Sequence, residues 1–169
     1  WTGRTGARIT FMTKQISYLR KQATVDDIEN HLMRCDQRFV PVLSERVNLR
    51  EYAEKIFNYA ITFEAWNADK LVGLVAVYFD DKIQREGFVT SVSVDFELQG
   101  RGIARDLFKN CYKYSYAQNF SSLRLEVIKS NARAIQLYEE LGFEPIGDNK
   151  EIITMRKYLS IDESKDLPS

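Results

Sequence analysis

Runs of alternating or continuous apolar residues mark the strands of this chain. Strands are predicted at residues 16–20, 61–66, 71–79, 88–94, 122–127, 143–146 and 152–158. The sequence Asn-Ala-Asp-Lys at 67–70 lies between two of these runs and is typical of a hairpin turn. Residues 61–94 are therefore expected to form three consecutive antiparallel strands.

Apolar residues at helical spacing predict helices in the other parts of the chain. One helix begins near residues 24–26, one begins at Asn48, one runs from Ile103 to about Asn119, and one begins at Asn131 and ends at Gly142. This order of strands and helices is typical of an α+β fold. Because a long helix connects the strands at 88–94 and 122–127, these strands are predicted to be parallel neighbours.

Size and charge indicate one globular domain with no attraction to polyanions. The chain has 169 residues, 44% of them hydrophobic and 28% charged, which is enough apolar content for a core without metals or disulfides. We expect the domain at residues 12–159, an N-terminal extension at 1–11 and a polar C-terminal tail at 160–169. Since 24 basic residues balance 24 acidic ones, neither nucleic acid nor an anionic membrane is predicted as a partner.

The cysteines and the only histidine suggest no metal or disulfide chemistry. Cys35 and Cys111 have no motif spacing and are interpreted as small core residues of a protein in a reducing compartment. His31 lies on a predicted helix, far from the main motif and without a partner at ligand spacing, so a structural role and no metal site are expected. No apolar run reaches the roughly 20 residues of a membrane span, and no signal peptide is evident. These features predict a cytoplasmic protein.

The stretch from Val92 to Ala104 carries the most informative pattern: an apolar strand, a turn with glycines at 100 and 102, and the start of an amphipathic helix. The first N–H groups of a helix have no partner within the helix and carry partial positive charge, so such a turn attracts anions. Gly100 and Gly102 remove side chains that would block the approach, and they permit unusual backbone angles. A phosphate-binding turn is predicted here.

Known phosphate-binding loops can be compared with this turn. A Walker loop ends in Gly-Lys-Ser/Thr, which is absent, and a dinucleotide-binding loop needs a Gly or Ala where this chain has Arg105. The remaining pattern, Gln99-x-x-Gly102-x-Ala104, resembles the Gln/Arg-x-x-Gly-x-Gly/Ala signature of the GCN5-related N-acetyltransferase (GNAT) superfamily. Residues 125–143 resemble its second block, Leu-x-Val, Asn-x-x-Ala, Leu-Tyr and Gly-Phe, in the form of the ribosomal-protein N-terminal acetyltransferase branch.

The resemblance implies a three-layer α/β/α fold around a mixed, mostly antiparallel sheet, with a parallel strand pair that splays apart at the cofactor site. It also implies acetyl-CoA as cosubstrate, with the pyrophosphate held by the loop and the pantetheine arm paired with the strand backbone. The cofactor-binding residues expected on this basis are Val92, Ser93, Val94, Gln99, Gly100, Arg101, Gly102, Ile103, Ala104 and Asn131.

Acetyl transfer to an amine needs an uncharged amine, a donor for the developing oxyanion and a proton for the leaving thiolate. Tyr138 is the candidate proton donor, because a phenol with a pKa near about 10 is protonated at neutral pH. Asn131, two helical turns earlier, shares its face of the helix. Tyr138 also occupies position C3 before Gly142, where packing against Phe143 would suffice to explain it.

Glu126 matches the proposed base position of the ribosomal branch. The alternation along its strand places it on the face opposite its neighbours. A surface pair with an arginine, a water relay to another carboxylate, or free amine taken from solution are the alternatives. Arg101, Arg105 and Lys109 share one side of the helix, where they would meet phosphates or solvent.

The function expected is an N-acetyltransferase that acts on a primary amine of a small molecule, an amino sugar or a protein N-terminus, as a monomer or homodimer. Polyamines also remain open as acceptors. The candidates for the acceptor pocket are Arg38, Phe39, Glu45, Arg46, Tyr52 and Trp66. The alternatives are a non-catalytic acyl-CoA sensor or partner-binding module on the same fold, and a nucleotide-binding regulatory domain.

Overall fold

Within residues 15–164, which the computed structural model of the protein describes, seven strands form one mixed sheet. The strands are β1 (Ser17–Arg20), β2 (Ile61–Asn67), β3 (Lys70–Asp81), β4 (Glu86–Val94), β5 (Ser122–Ile128), β6 (Glu144–Asp148) and β7 (Ile152–Tyr158). Their order across the sheet is β1-β2-β3-β4-β5-β7-β6. The helices are α1 (Val25–Cys35), α2 (Leu49–Tyr59), α3 (Ile103–Ala117) and α4 (Ala132–Glu140). The predicted α+β class and order of elements are confirmed.

Several boundaries differ from the prediction for local reasons. Strand β3 reaches Asp81 because its antiparallel pairing with β4 continues as far as the pair Asp81–Glu86. Helices α3 and α4 each end two residues early. Asn119 (φ +66°) and Gly142 (φ +93°) adopt left-handed conformations there, which end a helix.

The chain ends are described only in part. Residues 1–14 and 165–169 lie outside the described residues, so the extension at 1–11 and the domain start at residue 12 stay predictions. In the predicted tail, Ile161–Ser164 form a 3₁₀ helix. The Lys157 ammonium binds the Glu163 carboxylate at 2.8 Å and connects this turn to β7.

The pairing between β4 and β5 is parallel, as predicted, but short. Among the described residues it comprises the pairs Glu86–Ser122, Gly87–Leu123 and Phe88–Arg124. Beyond them β4 pairs only with β3, and β5 pairs with β7 along its whole length. The two strands therefore diverge, and within residues 15–164 no strand pairs with the β5-facing edge of β4 beyond Phe88.

The centre of the sheet, at β3, is buried on both faces. On one side, β3 packs through residues such as Val75 into a core with Leu107, Phe108 and Phe143. On the other side, Leu74 belongs to a second core cluster with residues of α1 and α2. The continuous apolar run of β3 follows from this arrangement, since both of its faces are covered.

Two further expectations concern the burial of the cysteines and membrane-spanning helices. Cys35 and Cys111 are both buried and free, as predicted. In the part of the chain that the structure describes, no helix has both the length and the apolar character that a membrane span requires.

Glu64 is a buried carboxylate that holds the turn between β1 and α1. Its oxygens accept hydrogen bonds from the backbone N–H groups of Gln22 (3.0 Å) and Ala23 (2.9 Å). They also accept from the Thr62 hydroxyl at 2.8 Å and from the Trp66 indole at 3.1 Å. Trp66, a candidate for the acceptor pocket, is instead packed in the core.

Replacing Glu64 with glutamine is expected to lower the free energy of unfolding by about 2–3 kcal/mol, because a donor –NH₂ would replace an acceptor among converging donors. Urea denaturation followed by circular dichroism measures this change. Glu54→Gln is the control, since Glu54 is exposed and its ion pair with Arg50 should contribute less than about 1 kcal/mol. Equal stability of the two variants would contradict the role given to Glu64.

Candidate active site

The glycine turn between β4 and α3 has the backbone geometry that the sequence predicts. Gly100 and Gly102 have φ values of +80° and +79°, in the left-handed region that favours glycine. A Cβ atom built on either residue would meet no atom within 4 Å. The glycines are thus required by the backbone angles, and open space lies beside both of them.

The first turn of α3 presents its backbone N–H groups to that open space. Gly102 is the N-cap residue and offers no side chain to hydrogen-bond them. The acidic residue of this turn, Asp106, accepts a hydrogen bond from the Tyr18 hydroxyl at 2.9 Å. Burial and this neighbouring carboxylate raise the pKa of Tyr18 to about 12. An uncapped helix N-terminus of this kind fits a phosphate group.

The loop folds back on the end of β4, so that Gln99 lies next to Val94. The Gln99 side-chain amide donates to the Val94 carbonyl at 3.3 Å. Val92, Ser93 and Val94 pair with β3 on one edge, and their other edge faces the opening toward β5. The strand edge, the loop at 99–102 and the start of α3 therefore follow one another directly along the chain.

A β-bulge in β4 is a feature of the site that the sequence does not predict. Val89 pairs with Val77 and Ser91 pairs with Ala76, so Thr90 is an extra residue. Such bulges are common next to active sites. The Tyr52 hydroxyl from α2 donates to the Thr90 carbonyl at 2.7 Å and lies 2.8 Å from its hydroxyl.

Two buried hydroxyls lie on the strands at this bulge. Ser91 Oγ interacts with the Tyr52 side chain and Tyr78 Oη with the Thr90 side chain. Among the described residues, neither hydroxyl has a partner with ordinary hydrogen-bond geometry. Ser91 directly follows the bulge, and Tyr78 lies on β3, which pairs with β4 there. Buried hydroxyls are normally hydrogen-bonded, so these two mark a polar spot within the sheet. No sequence motif marks either residue.

The other acceptor-pocket candidates surround the α1–α2 connection. The Arg38 guanidinium lies 3.6 Å from the centre of the Phe96 ring and links this connection to the segment after β4. Phe39 packs against the core cluster of α1 and α2. Tyr52, another candidate, donates a hydrogen bond to the β4 backbone.

His31 lies next to the motif in space, so the expectation that it is remote was wrong. Its side chain is fully buried, with Nδ1 3.0 Å from Asp95 Oδ1 and Nε2 2.9 Å from Ser93 Oγ. Helix α1 packs across the end of β4, which sequence distance alone conceals. A structural role was expected for His31 from the sequence, and a fully buried side chain is compatible with that role.

His31, Cys35 and Asp95 also bring potential metal ligands within 4.8 Å of one another. Both ring nitrogens of His31 are already bonded, and Arg34 Nε (3.3 Å) and Lys70 Nζ (3.5 Å) bring positive charge to Asp95 Oδ2. Burial raises the pKa of the Cys35 thiol to about 12. A divalent cation is disfavoured in these surroundings.

Tyr138 occupies the helix end that the sequence predicts for it. The Phe143 N–H donates to the Tyr138 carbonyl at 2.9 Å and the Gly142 N–H donates to the Glu139 carbonyl at 3.0 Å, which together define a Schellman motif. The Tyr138 ring packs 6.0 Å from that of Phe143 and 6.4 Å from that of Phe108. Burial raises the pKa of Tyr138 to about 12, so the phenol stays protonated at neutral pH.

Asn131 and Glu126 take the local positions predicted for them. Asn131 Oδ1 accepts from the Ala134 N–H at 3.2 Å and caps α4. Glu126 is exposed on the face of β5 opposite the buried Leu125 and Val127. Arg124 donates to its carboxylate at 3.5 Å, which is the arginine pairing considered as an alternative to a catalytic role.

The basic residues of α3 and of the turn before it lie in two different neighbourhoods. Arg101 lies exposed in the glycine turn. Arg105 donates to Glu140 at 3.4 Å, and with Lys109 it lines a shallow surface depression beside Lys157 and Glu163. Arg101 is therefore the basic side chain that lies in the loop itself.

Comparisons with known proteins agree with this geometry. The profile of the acetyltransferase (GNAT) family matches residues 25–143. Spermidine N(1)-acetyltransferase of Vibrio cholerae is 30% identical over 131 residues, which cover 66% of this chain and 75% of the relative. For four further curated relatives, the chain spans less than two fifths of their length.

Solved structures share the fold. The ribosomal-protein-S18-alanine N-acetyltransferase of Escherichia coli has a TM-score of 0.66 at 22% identity, covering 87% of this chain and 94% of that protein. The PaiA N-acetyltransferase of Thermoplasma acidophilum, solved in complex with coenzyme A, has a TM-score of 0.69 at 15% identity, covering 84% and 99%. With its glycine turn, diverging strands and matched family profile, the chain belongs to the acetyltransferase (GNAT) family and is an N-acetyltransferase.

Proposed function

We propose that the protein binds acetyl-CoA along the open edge of β4 and transfers the acetyl group directly to a primary amine. The observation that supports this most strongly is the uncapped N-terminus of α3, preceded by two left-handed glycines with open space beside them. Backbone N–H groups at a helix start bind a pyrophosphate without a basic side chain. Acetyl-CoA supplies the acetyl thioester. The residues of the chain orient it, donate a proton to the leaving thiolate and take a proton from the amine.

The proposed roles of the residues are those that the family resemblance implies. The backbone of residues 92–94 holds the pantetheine arm, residues 99–104 hold the pyrophosphate, and Asn131 lies at the start of the helix that carries Tyr138. Tyr138 donates a proton to the leaving thiolate, for which its raised pKa keeps it protonated. Glu126 takes the proton of the amine, directly or through water, from the exposed face of β5.

The acceptor side is proposed at the bulge of β4. Tyr52 binds Thr90 there, and the hydroxyls of Tyr78 and Ser91 lie beside Thr90 and Tyr52, so that four polar side chains meet at this point. A polyamine, as in the Vibrio cholerae relative, and a protein N-terminus, as in the Escherichia coli structure, are the acceptor classes to test first. The buried thiols of Cys35 and Cys111 support a reducing compartment such as the cytoplasm.

Calorimetric titration is expected to show that the protein binds acetyl-CoA and CoA, and binds ATP and NAD at least about 100-fold more weakly. Gly102→Ala should weaken acetyl-CoA binding about tenfold, because a side chain at φ +79° costs about 1–2 kcal/mol and displaces the turn.

Gly147→Ala is the matched control for this titration. A Cβ at Gly147 also meets nothing within 4 Å, and its backbone lies outside the left-handed region, on the exposed strand β6. Its affinity for acetyl-CoA should be unchanged. No heat of binding with millimolar acetyl-CoA, or equal affinity for ATP or NAD, would refute the proposed function.

Tyr138→Phe should lower kcat about 100-fold and leave acetyl-CoA affinity within about twofold, since phenylalanine keeps the ring packing and removes only the proton donor. Thiol release is measured with spermidine and with a peptide that begins with alanine. Because the pKa of Tyr138 is raised to about 12, the loss should be equal at about pH 7 and about pH 9.

Tyr114→Phe is the control for Tyr138, since Tyr114 packs against Phe63 and Phe79 near the other end of α3. Its kcat should match that of the wild type. If Tyr138→Phe also turns over at the wild-type rate, Tyr138 serves packing alone.

Glu126→Gln should lower kcat about 100-fold at neutral pH, because the amide cannot accept a proton from the amine. Glu144→Gln, on the exposed strand β6, is the control and should leave the same thiol-release assay unaffected. Unchanged turnover of Glu126→Gln would assign deprotonation of the amine to another carboxylate or to solvent.

A further inference from the structure

Two buried hydrogen bonds of His31 connect α1 to the end of β4. The Asp95 carboxylate accepts from Nδ1–H at 3.0 Å, and the other ring nitrogen lies 2.9 Å from Ser93 Oγ. In the neutral ring, the Ser93 hydroxyl therefore donates to Nε2. Both nitrogens of a fully buried imidazole are satisfied, so the orientation of the ring is fixed.

Asp95 directly follows β4, the strand proposed to hold the pantetheine arm, and begins the segment that leads to the glycine turn. Its N–H donates to the Val72 carbonyl at 2.8 Å, which ends the pairing of β4 with β3. Its carbonyl accepts from the Leu98 N–H at 2.9 Å, which starts the 3₁₀ turn Phe96–Leu98 leading to the glycines. A shift of Asp95 would therefore move the strand end and the loop relative to each other.

Positive charge concentrates on the same carboxylate. Arg34, one turn along α1, and Lys70, at the start of β3, both approach Asp95 Oδ2. Burial alone would raise the pKa of Asp95, but the hydrogen bond from His31 and these charges lower it below its usual value. Asp95 is thus an ionised hydrogen-bond acceptor, and basic side chains from α1 and β3 hold it in place.

Ser93, His31 and Asp95 have the bonding order of a hydrolytic triad, but their burial excludes nucleophilic attack. Ser93 is 9% exposed and its hydroxyl faces α1. Its neighbours Val92 and Val94 pack against the core cluster on the α3 side of the sheet. A nucleophile must reach its substrate, and this hydroxyl lies beneath a helix.

A buried polar network of this type specifies one arrangement of the elements it joins. An apolar side chain of similar volume could fill the same space without the cost of burying polar groups. The imidazole instead fixes two residues, 93 and 95, that flank Val94. Val94 is itself bonded to Gln99 of the loop.

We propose that His31 is a positioning residue for acetyl-CoA: it fixes the end of β4 against α1 and so sets the spacing between the strand edge and the N-terminus of α3. This inference rests on the proposed function, in which the pantetheine arm lies on the strand and the pyrophosphate on the helix start. A ligand that spans both sites binds well only when their spacing is right.

The test compares acetyl-CoA affinity with thermal stability in matched variants. His31→Leu should raise the dissociation constant about tenfold to a hundredfold, because the strand end and the loop lose their common anchor. His31→Asn keeps a donor for Asp95 but is too short to reach Ser93, and Ser93→Ala removes the other bond alone. Both variants should have acetyl-CoA affinities between those of the wild type and His31→Leu. They replace His31→Leu in the comparison if that variant does not fold.

Leu32→Ala is the control, because Leu32 is the next residue of α1 and is fully buried in the apolar core. It should lower the melting temperature at least as much as His31→Asn while its acetyl-CoA affinity stays within about twofold of the wild type. If His31 had a structural role alone, Leu32→Ala and His31→Asn would lose acetyl-CoA affinity in proportion to their loss of melting temperature. That result would overturn the inference.

The same titrations separate the inference from the function on which it rests. Wild-type protein that fails to bind acetyl-CoA overturns both. Wild-type protein that binds, together with His31 variants that bind equally well, overturns only the positioning role. Tight binding by the wild type, graded loss from Ser93→Ala and His31→Asn to His31→Leu, and no loss in Leu32→Ala support it.

Discussion

The divergence of β4 and β5 is the constraint on which the site depends. The strands pair at three positions and then follow different partners, β4 with β3 and β5 with β7. Backbone N–H and C=O groups at an unpaired strand edge need partners. Because the glycine turn and the start of α3 come directly after this edge, the opening beside β4 ends at a helix N-terminus.

An ion-pair network stabilises the region where β4 and β5 are paired. Glu86 of β4 accepts from Arg156 Nε of β7 at 2.6 Å and from the Ser122 hydroxyl of β5 at 2.7 Å, and Arg124 Nε lies 3.3 Å away. Partial burial alone would raise the pKa of Glu86, but hydrogen bonds from Arg156 and Ser122 and the charge of Arg124 lower it. The sheet is thus held firmly at one end of the opening, while His31 and Asp95 hold β4 at the other.

Local chemistry explains how much of this could be predicted. The strands, the helices, the glycine turn and the Schellman end at Gly142 depend on residues close in sequence, and the pattern predicted all of them. The bulge at Thr90 depends on pairing with β3, and the His31–Asp95 bond joins residues 64 positions apart. Neither has a local signal, so His31 was wrongly expected to be remote from the motif.

The same distinction explains why the donor side of the reaction is clearer in the sequence than the acceptor side. The proposed donor site is built mainly from backbone groups, and a short motif with glycines is enough to place those groups. The proposed acceptor site combines Tyr52 of α2, Tyr78 of β3 and the bulge of β4, which only the tertiary fold brings together. Side chains from separate elements can change without disturbing the glycine turn. One fold can therefore keep a single acetyl donor while the acceptor differs, as it does between the spermidine enzyme and the ribosomal-protein enzyme that this chain resembles.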